Sequence, residues 1–337
     1  MPAMTAINHI IRLVARPVGE AKRSDFSFTD EPLSALQDGQ ILLKTLYVSV
    51  DPAMRGWMNE GKSYIAPVGL GDVMRAGGIG QVMESRHPKF ALGDLLSGMI
   101  NVQTLCISDG RGFTKVDPAL APLPTYLNVL GMPGMTAYWG LLDVGQPKPG
   151  ETVVISAAAG AVGATVGQVA KIKGCRVVGI AGGKDKCDYA TKTLGFDACV
   201  DYKSEDVRKA LKVACPSGID VYFDNVGGEI LDIVLGQINL KARIVICGAI
   251  SQYNNTTAVK GPANYLSLLV NRARMEGIVV FDYAPRYKEA ALELGGWLAA
   301  GKMVSMEHVV EGIDTFPEAL MKLFKGENFG KLVLKVA

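Results

Sequence analysis

Three small residues at a fixed spacing are the clearest chemical feature of the sequence. Ala158, Gly160 and Gly163 form the pattern Ala-x-Gly-x-x-Gly directly after the β-branched run TVVIS at 152–156. A glycine in the middle position lets the backbone approach a pyrophosphate, and one in the third lets the next helix pack closely on its strand. The N-terminus of that helix then points N–H groups at the phosphates. The spacing predicts a dinucleotide-binding turn; the alternative is a packing turn that holds no ligand.

The end of the next predicted strand indicates which dinucleotide fits. A site for NAD has Asp or Glu there, which accepts hydrogen bonds from the ribose hydroxyls. This chain instead has Gly182 and Gly183, followed by Lys184 and Lys186. A carboxylate would repel a 2′-phosphate, whereas ammonium groups attract one, so the pattern favours NADP. Asp185 lies between the lysines, where we expect it to cap a helix. The alternative for the lysines is a solvated helix face.

The elements that would position these residues alternate regularly from about residue 126 onward. Strand-like runs alternate with helical stretches over short connections, which is typical of a doubly wound parallel sheet. The expected strands lie at 152–156, 175–181, 197–200, 219–224 and 242–248. The expected helices run through Lys173, over 185–195, over 204–215 with Ser204 as N-cap, and from about 228.

The first 125 residues follow a different pattern. Short β-like runs at 41–50 and 95–100 lie among Gly- and Pro-rich loops without a sustained helical period, which predicts an irregular β-rich domain. The proline-rich segment 117–124 is the best candidate for a crossing between domains. The final run GKLVLKV, 330–336, is a strand that would rejoin the first domain.

Composition excludes several classes of protein. The 337 residues are 49% hydrophobic, which excludes disorder as the main state. The net charge of +2, without a basic block, argues against a nucleic-acid partner. Two long uncharged stretches, 118–142 and 152–170, hold too many prolines or glycines for a membrane helix. The six cysteines lack the spacing of a zinc site or a redox CxxC pair, and the first residues lack the features of a signal peptide. We therefore expect a cytoplasmic protein with no membrane segment.

Several longer blocks resemble a known family. They are GMPGMTAYWGLLDVGQPKPGETVVISAAAGAVG (131–163), CRVVGIAGGKDKC (175–187), GIDVYFDNVGGEILD (218–232), CGAISQYNN (247–255), NRARMEGIVVFDY (271–283), VSVDPAMRG (48–56) and NFGKLV (328–333). Together they resemble the medium-chain dehydrogenase/reductase superfamily. Within it they are similar to the zinc-independent branch of leukotriene B4 dehydrogenase/prostaglandin reductases, plant double-bond reductases and bacterial curcumin reductase.

The resemblance implies an α/β fold class, with a Rossmann doubly wound parallel sheet plus a β-rich GroES-like catalytic domain. Residues 1–125 and 303–337 would form the GroES-like catalytic domain, and 126–302 the NADPH-binding Rossmann domain. The implied reaction is NADPH-dependent reduction of the carbon–carbon double bond of a small-molecule α,β-unsaturated ketone or aldehyde. A homodimer is also implied, and the apolar segment 277–281 supports it.

The resemblance also assigns cofactor contacts to individual positions. The pyrophosphate contacts are Ala158, Gly160, Ala161, Val162 and Gly163. The positions near the adenosine 2′-phosphate are Gly183, where relatives often have serine, Lys186 and Tyr202. Those on the nicotinamide side are Asn225, Cys247, Gly248, Ala249, Ile250, Ser251, Tyr253, Phe281, Tyr283 and Asn328.

The residues themselves argue against zinc. Catalytic zinc in this superfamily needs a cysteine after an early strand and a later histidine, and structural zinc needs a four-cysteine cluster. Here the early strand is followed by Val50-Asp51-Pro52, and the later segment 69–78 contains no histidine. His9, His87 and His308 are scattered without ligand spacing. We expect no metal.

Chemistry without a metal needs another proton donor. Hydride addition to an enone pushes negative charge onto the carbonyl oxygen, and a proton must then reach the α-carbon. A tyrosine hydroxyl or a cofactor ribose hydroxyl can donate it. Tyr253 follows the fifth parallel strand, where such sheets bind ligands, and the family has a tyrosine in this loop near the substrate carbonyl. Tyr64, in the segment 59–67, could approach the substrate from the other side, and curcumin-reductase-like relatives suggest a similar position for it. The alternative for either tyrosine is a wall residue that only packs.

Two other residues of the 48–56 block resemble catalytic groups but have simpler explanations. We expect Asp51 to cap the turn that begins at Pro52, and Arg55 to be structural or to reach the cofactor. Two other functions stay open at this point. A quinone reductase of the same superfamily would use the same cofactor, although the blocks at 247–255 and 275–283 favour the enone reductase. A nucleotide-binding scaffold without turnover is disfavoured by the tyrosines and the full cofactor set.

Overall fold

The computed structural model describes residues 6–336. These residues fall into two compact units. The first contains the residues up to Leu127 together with those from Glu307 onward, and the second spans Asn128–Met306. No helix within the described residues is long and apolar enough to cross a bilayer.

The N-terminal part of the first unit consists mainly of short strands. In chain order its elements are β1 (Ile7–Leu13), β2 (Phe26–Pro32), β3 (Ile41–Ser49), α1 (Ala53–Trp57), β4 (Gly77–Ser85), β5 (Leu95–Met99), β6 (Leu105–Ser108) and β7 (Thr114–Lys115). β1 and β2 pair with each other in an antiparallel ladder. The core under α1 contains fully buried methionines, Met54, Met58 and Met74, which fill irregular space between elements of different type.

The second unit alternates strands and helices. Its elements are α2 (Met132–Trp139), β8 (Thr152–Ser156), α3 (Ala161–Ile172), β9 (Arg176–Ala181), α4 (Lys184–Asp188), β10 (Ala198–Asp201), α5 (Val207–Ala214), β11 (Ile219–Asp224), α6 (Gly228–Leu235), β12 (Ile238–Ile246), α7 (Leu266–Val270), β13 (Arg274–Gly277) and α8 (Tyr287–Ala299). Every residue of β8 is buried, as expected for a parallel strand covered on both faces.

The six strands of this unit form one parallel sheet in the order β10-β9-β8-β11-β12-β13. The chain proceeds outward from β8 to β10 and then returns to continue from β11 in the other direction. This is the doubly wound order of the Rossmann fold, and ligands bind where the direction reverses. The predicted parallel sheet is therefore confirmed.

The chain then returns to the first unit with β14 (Glu307–Glu311), α9 (Phe316–Lys325) and β15 (Lys331–Lys335). β15 pairs with β14 in parallel and with β3 in antiparallel orientation. The result is a mixed seven-stranded sheet in the order β14-β15-β3-β4-β5-β7, with β6 also paired to β3. The final strand predicted from the sequence at 330–336 corresponds to β15, which lies in this sheet of the first unit.

Three capping predictions are wrong. α5 begins at Val207 rather than 204, because Asp206 accepts a hydrogen bond from the Lys209 N–H and acts as N-cap. Ser204 instead donates its hydroxyl to a carboxylate at the end of β10, 2.7 Å away. Gly183 is the N-cap of α4, and Asp185 makes no capping bond. The Asp51 side chain does not cap α1 either, since it pairs with groups described below.

Candidate active site on the glycine turn and strand ends

The turn after β8 brings the three small residues into a tight loop. Ala157 has a left-handed φ of +51°, and Gly160 is the extended residue before α3. A Cβ at Gly163 would lie 2.3 Å from the carbonyl oxygen of Ala157, so only glycine fits there. No side chain caps α3, which leaves its first N–H groups to other acceptors. The residues present therefore fit the pyrophosphate of a dinucleotide.

The ends of β9 and β10 form the adjoining surface. A Cβ at Gly182 would lie 2.7 Å from the hydroxyl of Tyr202, so the tyrosine covers this glycine. Gly183 has φ +100°, and its N–H donates to Asp201 Oδ1 at 2.7 Å. This hydrogen bond, more than any other group, holds the pKa of Asp201 below its ordinary value. Sequence reasoning missed Asp201, because it lies one strand away from the glycines that it holds.

The two lysines after β9 have different surroundings. Lys184 is exposed and forms an ion pair with Asp188 one turn later. Lys186 is half-buried, and burial together with the nearby charge of Lys203 lowers the pKa of its ammonium group. A dianion beside Lys186 and Lys203 would relieve this repulsion. Lys186, and not Lys184, therefore has the surroundings that suit a phosphate.

Polar groups at the ends of β8 and β11 form one buried network around Asp224. This residue is 1% exposed, and its Oδ1 accepts hydrogen bonds from Ser156 Oγ at 3.1 Å and Tyr222 Oη at 2.9 Å. The N–H groups of Val226 and Gly227 donate to the same oxygen. Burial raises the pKa of Asp224 above its ordinary value, although the four donors oppose that shift. The network lies where the strand order reverses.

The network fixes Asn225, a predicted nicotinamide contact. The Asn225 N–H donates to Ser156 Oγ at 2.9 Å, and its Nδ2 donates to Ser156 O at 2.8 Å. The N–H groups at 247–248 donate to the main-chain oxygen of Asp224, and Ile250 N–H donates to that of Asn225. The turn after β11 and the loop after β12 are thus joined. Ser156 and Asp224 had no sequence signal that marked them for this role.

Tyr253 lies half-buried in the loop after β12, and its hydroxyl folds back on that loop. The N–H of Ala249 donates to Tyr253 Oη at 3.1 Å. A Cβ at Gly248 would lie 2.8 Å from the same oxygen, so this glycine makes room for the hydroxyl. Burial raises the pKa of the neighbouring Cys247 thiol to about 12. The Cys247 thiol therefore stays protonated at neutral pH.

Tyr283 makes a separate set of contacts. Its hydroxyl donates to Asp143 Oδ2 at 2.7 Å, and its ring stacks on Trp139 with centroids 5.2 Å apart. Burial and this carboxylate raise the pKa of Tyr283 to about 12. Phe281 lies in the same short turn, Val280–Arg286. The hydroxyl of Tyr283 is thus committed to Asp143, and the ring is the part of Tyr283 that a ligand could contact.

The first unit carries the other two predicted site residues. Tyr64 is exposed in an irregular segment after α1, and Trp57 Nε1 donates to its Oη at 3.3 Å. Asn328 lies just before β15, and its Nδ2 donates to Gly330 O at 2.9 Å. Both side chains are therefore held by residues of their own unit.

Asp51 and Arg55 are structural residues. The Asp51 carboxylate accepts hydrogen bonds from Ser49 and from the ammonium group of Lys331, which is 2% exposed. The same ammonium group donates to Val50 O at 2.8 Å. Arg55 is buried and donates to main-chain oxygens at 17 and 19. Of the two roles open for Arg55, the contacts support the structural one.

No set of three or more His, Cys, Asp or Glu side chains within residues 6–336 is arranged to hold a metal ion. The sequence matches two family descriptions: "N-terminal domain of oxidoreductase" over residues 9–116, and "Zinc-binding dehydrogenase" over residues 161–295. The second description mentions zinc, but the matched segment lacks a ligand set in the described structure. These matches and the fold together define the class of protein. It is a two-domain oxidoreductase in which one domain has the fold of a dinucleotide-binding domain.

Relatives of similar length give the family. The NADPH-dependent curcumin reductase of Escherichia coli is 44% identical over 330 residues, covering 96% of each chain. The NADP(+)-dependent 2-alkenal reductase of Nicotiana tabacum is 45% identical over 304 residues, covering 88% of this chain and 87% of the relative. The crystal structure of CurA from Vibrio vulnificus in complex with NADPH superposes with a TM-score of 0.93 at 45% identity, covering 98% of this chain and 99% of that one.

The chain belongs to the medium-chain dehydrogenase/reductase family, in the branch that contains curcumin reductase and 2-alkenal reductase. The family resemblance and the α/β fold class predicted from the sequence are confirmed.

Proposed function

We propose that this chain is an NADPH-dependent reductase of the carbon–carbon double bond in α,β-unsaturated ketones and aldehydes. The observation that carries the proposal is the pair of strand ends in the second unit. An uncapped helix after a glycine turn adjoins a glycine-rich, lysine-bearing strand end without a ribose-binding acid. The reaction class is supported by the two reductases named above, which align with 96% and 88% of this chain at 44% and 45% identity.

We assign the two units different roles. The Rossmann unit, predicted at 126–302, would bind NADPH and supply Tyr253, and the GroES-like catalytic unit, predicted at 1–125 and 303–337, would supply Tyr64. Bound NADPH supplies a hydride for the β-carbon of the substrate. The glycine turn would hold the pyrophosphate, and Gly183, Lys186 and Tyr202 would hold the adenosine 2′-phosphate. Asn225, Cys247, Gly248, Ala249, Ile250, Ser251, Tyr253, Phe281, Tyr283 and Asn328 would line the nicotinamide side.

The chain's own hydroxyl groups would handle the charge and the proton. Negative charge develops on the substrate carbonyl oxygen, and a preorganised donor there lowers the barrier. Tyr253 suits this role, because the Ala249 N–H holds its oxygen in place and a phenolic O–H is itself a donor. Tyr64 is the second candidate, and it would donate a proton to the α-carbon. Each is a catalytic residue in this proposal.

The decisive experiment follows NADPH oxidation with 4-phenyl-3-buten-2-one and identifies the product. The expected product is 4-phenyl-2-butanone, with the carbonyl retained. This saturated ketone, offered as substrate itself, is the matched control and should give no turnover. An allylic alcohol as product, or a higher kcat/KM with NADH than with NADPH, would contradict the proposal. A higher kcat/KM with a quinone than with the enone would favour the quinone reductase.

We also propose that the protein is a homodimer. β13 is the edge strand of the parallel sheet, and its residues are mostly exposed. Large apolar side chains on the preceding α7 are exposed as well, Leu269 at 75% and Val270 at 69%. An open strand edge beside such a surface favours a second copy of the same chain. Sedimentation equilibrium should give twice the chain mass, and Leu269→Lys should reduce it; a wild-type monomer would refute the dimer.

A cytoplasmic location completes the proposal. All six cysteines are free, and several are buried thiols that suit a reducing compartment. Fractionation of cells that produce the protein should recover it with cytoplasmic markers. Recovery with secreted material would contradict this location.

A further inference from the structure

The surroundings of Tyr64 orient its hydroxyl. Tyr64 lies within residues 59–67, a segment without helix or strand. The segment starts just after Trp57, which is 9% exposed and donates its indole N–H to Tyr64 Oη. An indole N–H is a donor only. The phenolic hydrogen of Tyr64 therefore points away from Trp57, in a direction in which it can be donated to an acceptor.

Arg75 contacts one residue just before this segment and one residue within it. Its guanidinium group lies 5.7 Å from the centre of the Trp57 ring, within the range of a cation–π contact. Its Nη1 also donates to Ala66 O at 2.8 Å. Arg75 therefore contacts residues on both sides of Tyr64. Its charge also interacts with Tyr64 and with Asp72, while partial burial lowers the pKa of the guanidinium.

The Trp57 hydrogen bond and the charge of Arg75 both favour negative charge on the Tyr64 oxygen. A tyrosine that gives its proton to carbon is left as a tyrosinate. An N–H donor to that oxygen and a nearby guanidinium group each stabilise the anion. Arg75 remains charged at every relevant pH because of its high intrinsic basicity. The cluster is thus built to lower the cost of proton donation by Tyr64.

We propose that Arg75 is a positioning residue which, together with Trp57, orients Tyr64 and stabilises the tyrosinate formed in proton transfer. The inference rests on the proposed function. In the step, the O–H bond of Tyr64 breaks and its electron pair stays on the oxygen. The electron pair of the substrate enolate forms the new C–H bond at the α-carbon. Solvent water then returns a proton to Tyr64.

The first test is a double-mutant cycle with 4-phenyl-3-buten-2-one and NADPH. Arg75→Met should lower kcat about tenfold, a fraction of what a positioned proton donor contributes, with the KM for NADPH unchanged. In a Tyr64→Phe background the same substitution should change kcat less than about twofold, because its target is gone. Arg75→Lys keeps the charge and should recover part of the rate. Arg111→Met removes an exposed guanidinium from the same unit and is the matched control.

The second test needs no turnover. A merely structural role of Arg75 would disturb the protein as a whole, whereas a role that acts through Tyr64 leaves the cofactor site intact. NADPH affinity measured by fluorescence should therefore be the same in wild type, Arg75→Met and Arg111→Met.

If Arg75→Met does not fold, Arg75→Gln takes its place in the cycle, and Trp57→Phe tests the other group that contacts Tyr64. It keeps a buried ring and removes the N–H donor to Tyr64, so it should lower kcat in wild type but not in the Tyr64→Phe background. Equal losses in both backgrounds, weaker NADPH binding in Arg75→Met than in wild type, or full kcat in Tyr64→Phe would overturn the role of Arg75. A wild-type protein that is active on enones separates that failure from failure of the proposed function. A wild type that reduces no enone would overturn both.

Discussion

Replacing Gly163 with alanine tests the construction of the turn after β8. The new Cβ would lie 2.3 Å from the carbonyl oxygen and 3.0 Å from the carbonyl carbon of Ala157. Both are main-chain atoms, so no side-chain rotation relieves the overlap. Overpacking costs about 1–3 kcal/mol, and a main-chain overlap belongs at the upper end. Alanine would recover up to about 1 kcal/mol in helix propensity, which leaves a net loss of about 2 kcal/mol.

This loss is measurable as a change in Tm. For a unit the size of Asn128–Met306, 1 kcal/mol shifts Tm by about 2–4 °C. Gly163→Ala should therefore lower the Tm of the cofactor-free protein by about 4–8 °C in calorimetry. The matched control is Gly296→Ala in α8, where a Cβ meets nothing within 4 Å and the propensity gain should raise Tm. A Gly163→Ala protein as stable as Gly296→Ala would refute the reasoning.

Replacing the neighbouring Gly160 with alanine tests cofactor binding separately from the stability of the fold. At Gly160 the nearest atom to a new Cβ is Ala157 O at 3.2 Å, which a small shift accommodates. Gly160→Ala should therefore change Tm little. It should weaken NADPH binding at least about tenfold, or 1.4 kcal/mol, if the turn holds a pyrophosphate as we propose. Unchanged affinity measured by NADPH fluorescence would mean that the phosphates lie elsewhere.

Three further outcomes follow from the same structure. Lys186→Met should raise the KM for NADPH about tenfold or more but leave the KM for NADH unchanged, because it removes a charge beside the proposed 2′-phosphate. Lys184→Met loses only a surface ion pair and is the control. Equal effects of the two substitutions would contradict the assignment of Lys186. Tyr253→Phe should lower kcat more than it weakens NADPH binding, and an unchanged kcat would remove Tyr253 from the mechanism. His9 contacts two carboxylates, and hydrogen bonding to Asp30 is the main cause of its raised pKa. Because the pKa of His9 is higher in the folded than in the unfolded protein, the stability that protonated His9 contributes is complete below about pH 6.5. That contribution is lost as the pH rises through the pKa of the folded protein. The difference in unfolding free energy between wild type and His9→Gln should therefore shrink toward alkaline pH in urea titrations, and a constant difference would show that protonated His9 contributes nothing.

Local patterns predicted the parts of the fold that depend on neighbouring residues in the sequence. The glycine spacing at 158–163 and the β-branched run before it specify a strand, a turn and a helix within a few residues. The alternation of strands and helices then predicts the parallel sheet, which β8–β13 confirm. The match of several sequence blocks to one family supplied what local patterns lack, namely the reaction class.

The networks around the site could not be predicted, because they join residues that are distant in sequence. Ser156 and Asp224 are 68 positions apart, and Asp51 and Lys331 are 280 apart. Each pair meets only when particular strands become neighbours. The wrong prediction for Asp51 shows the effect. The local sequence offers Asp51 a turn to cap, whereas β15 brings a buried ammonium group to the end of β3, and Asp51 pairs with that group.

The Asp224 network explains how the second unit can preorganise its proposed nicotinamide contacts. A buried carboxylate is costly unless donors surround it, and here four donors converge on one of its oxygens. Those donors come from β8, from β11 itself and from the turn that begins with Asn225. Because the main-chain oxygen of Asp224 also accepts the N–H groups at 247–248, one residue holds three strand ends together. Oδ2 of Asp224 is buried without a hydrogen-bond partner and burial raises the pKa of the carboxyl, so these donors offset only part of the cost of burying Asp224. The bonds around Asp224 fix Asn225 and the Tyr253 loop relative to one another, which is what positioning a substrate for hydride transfer requires.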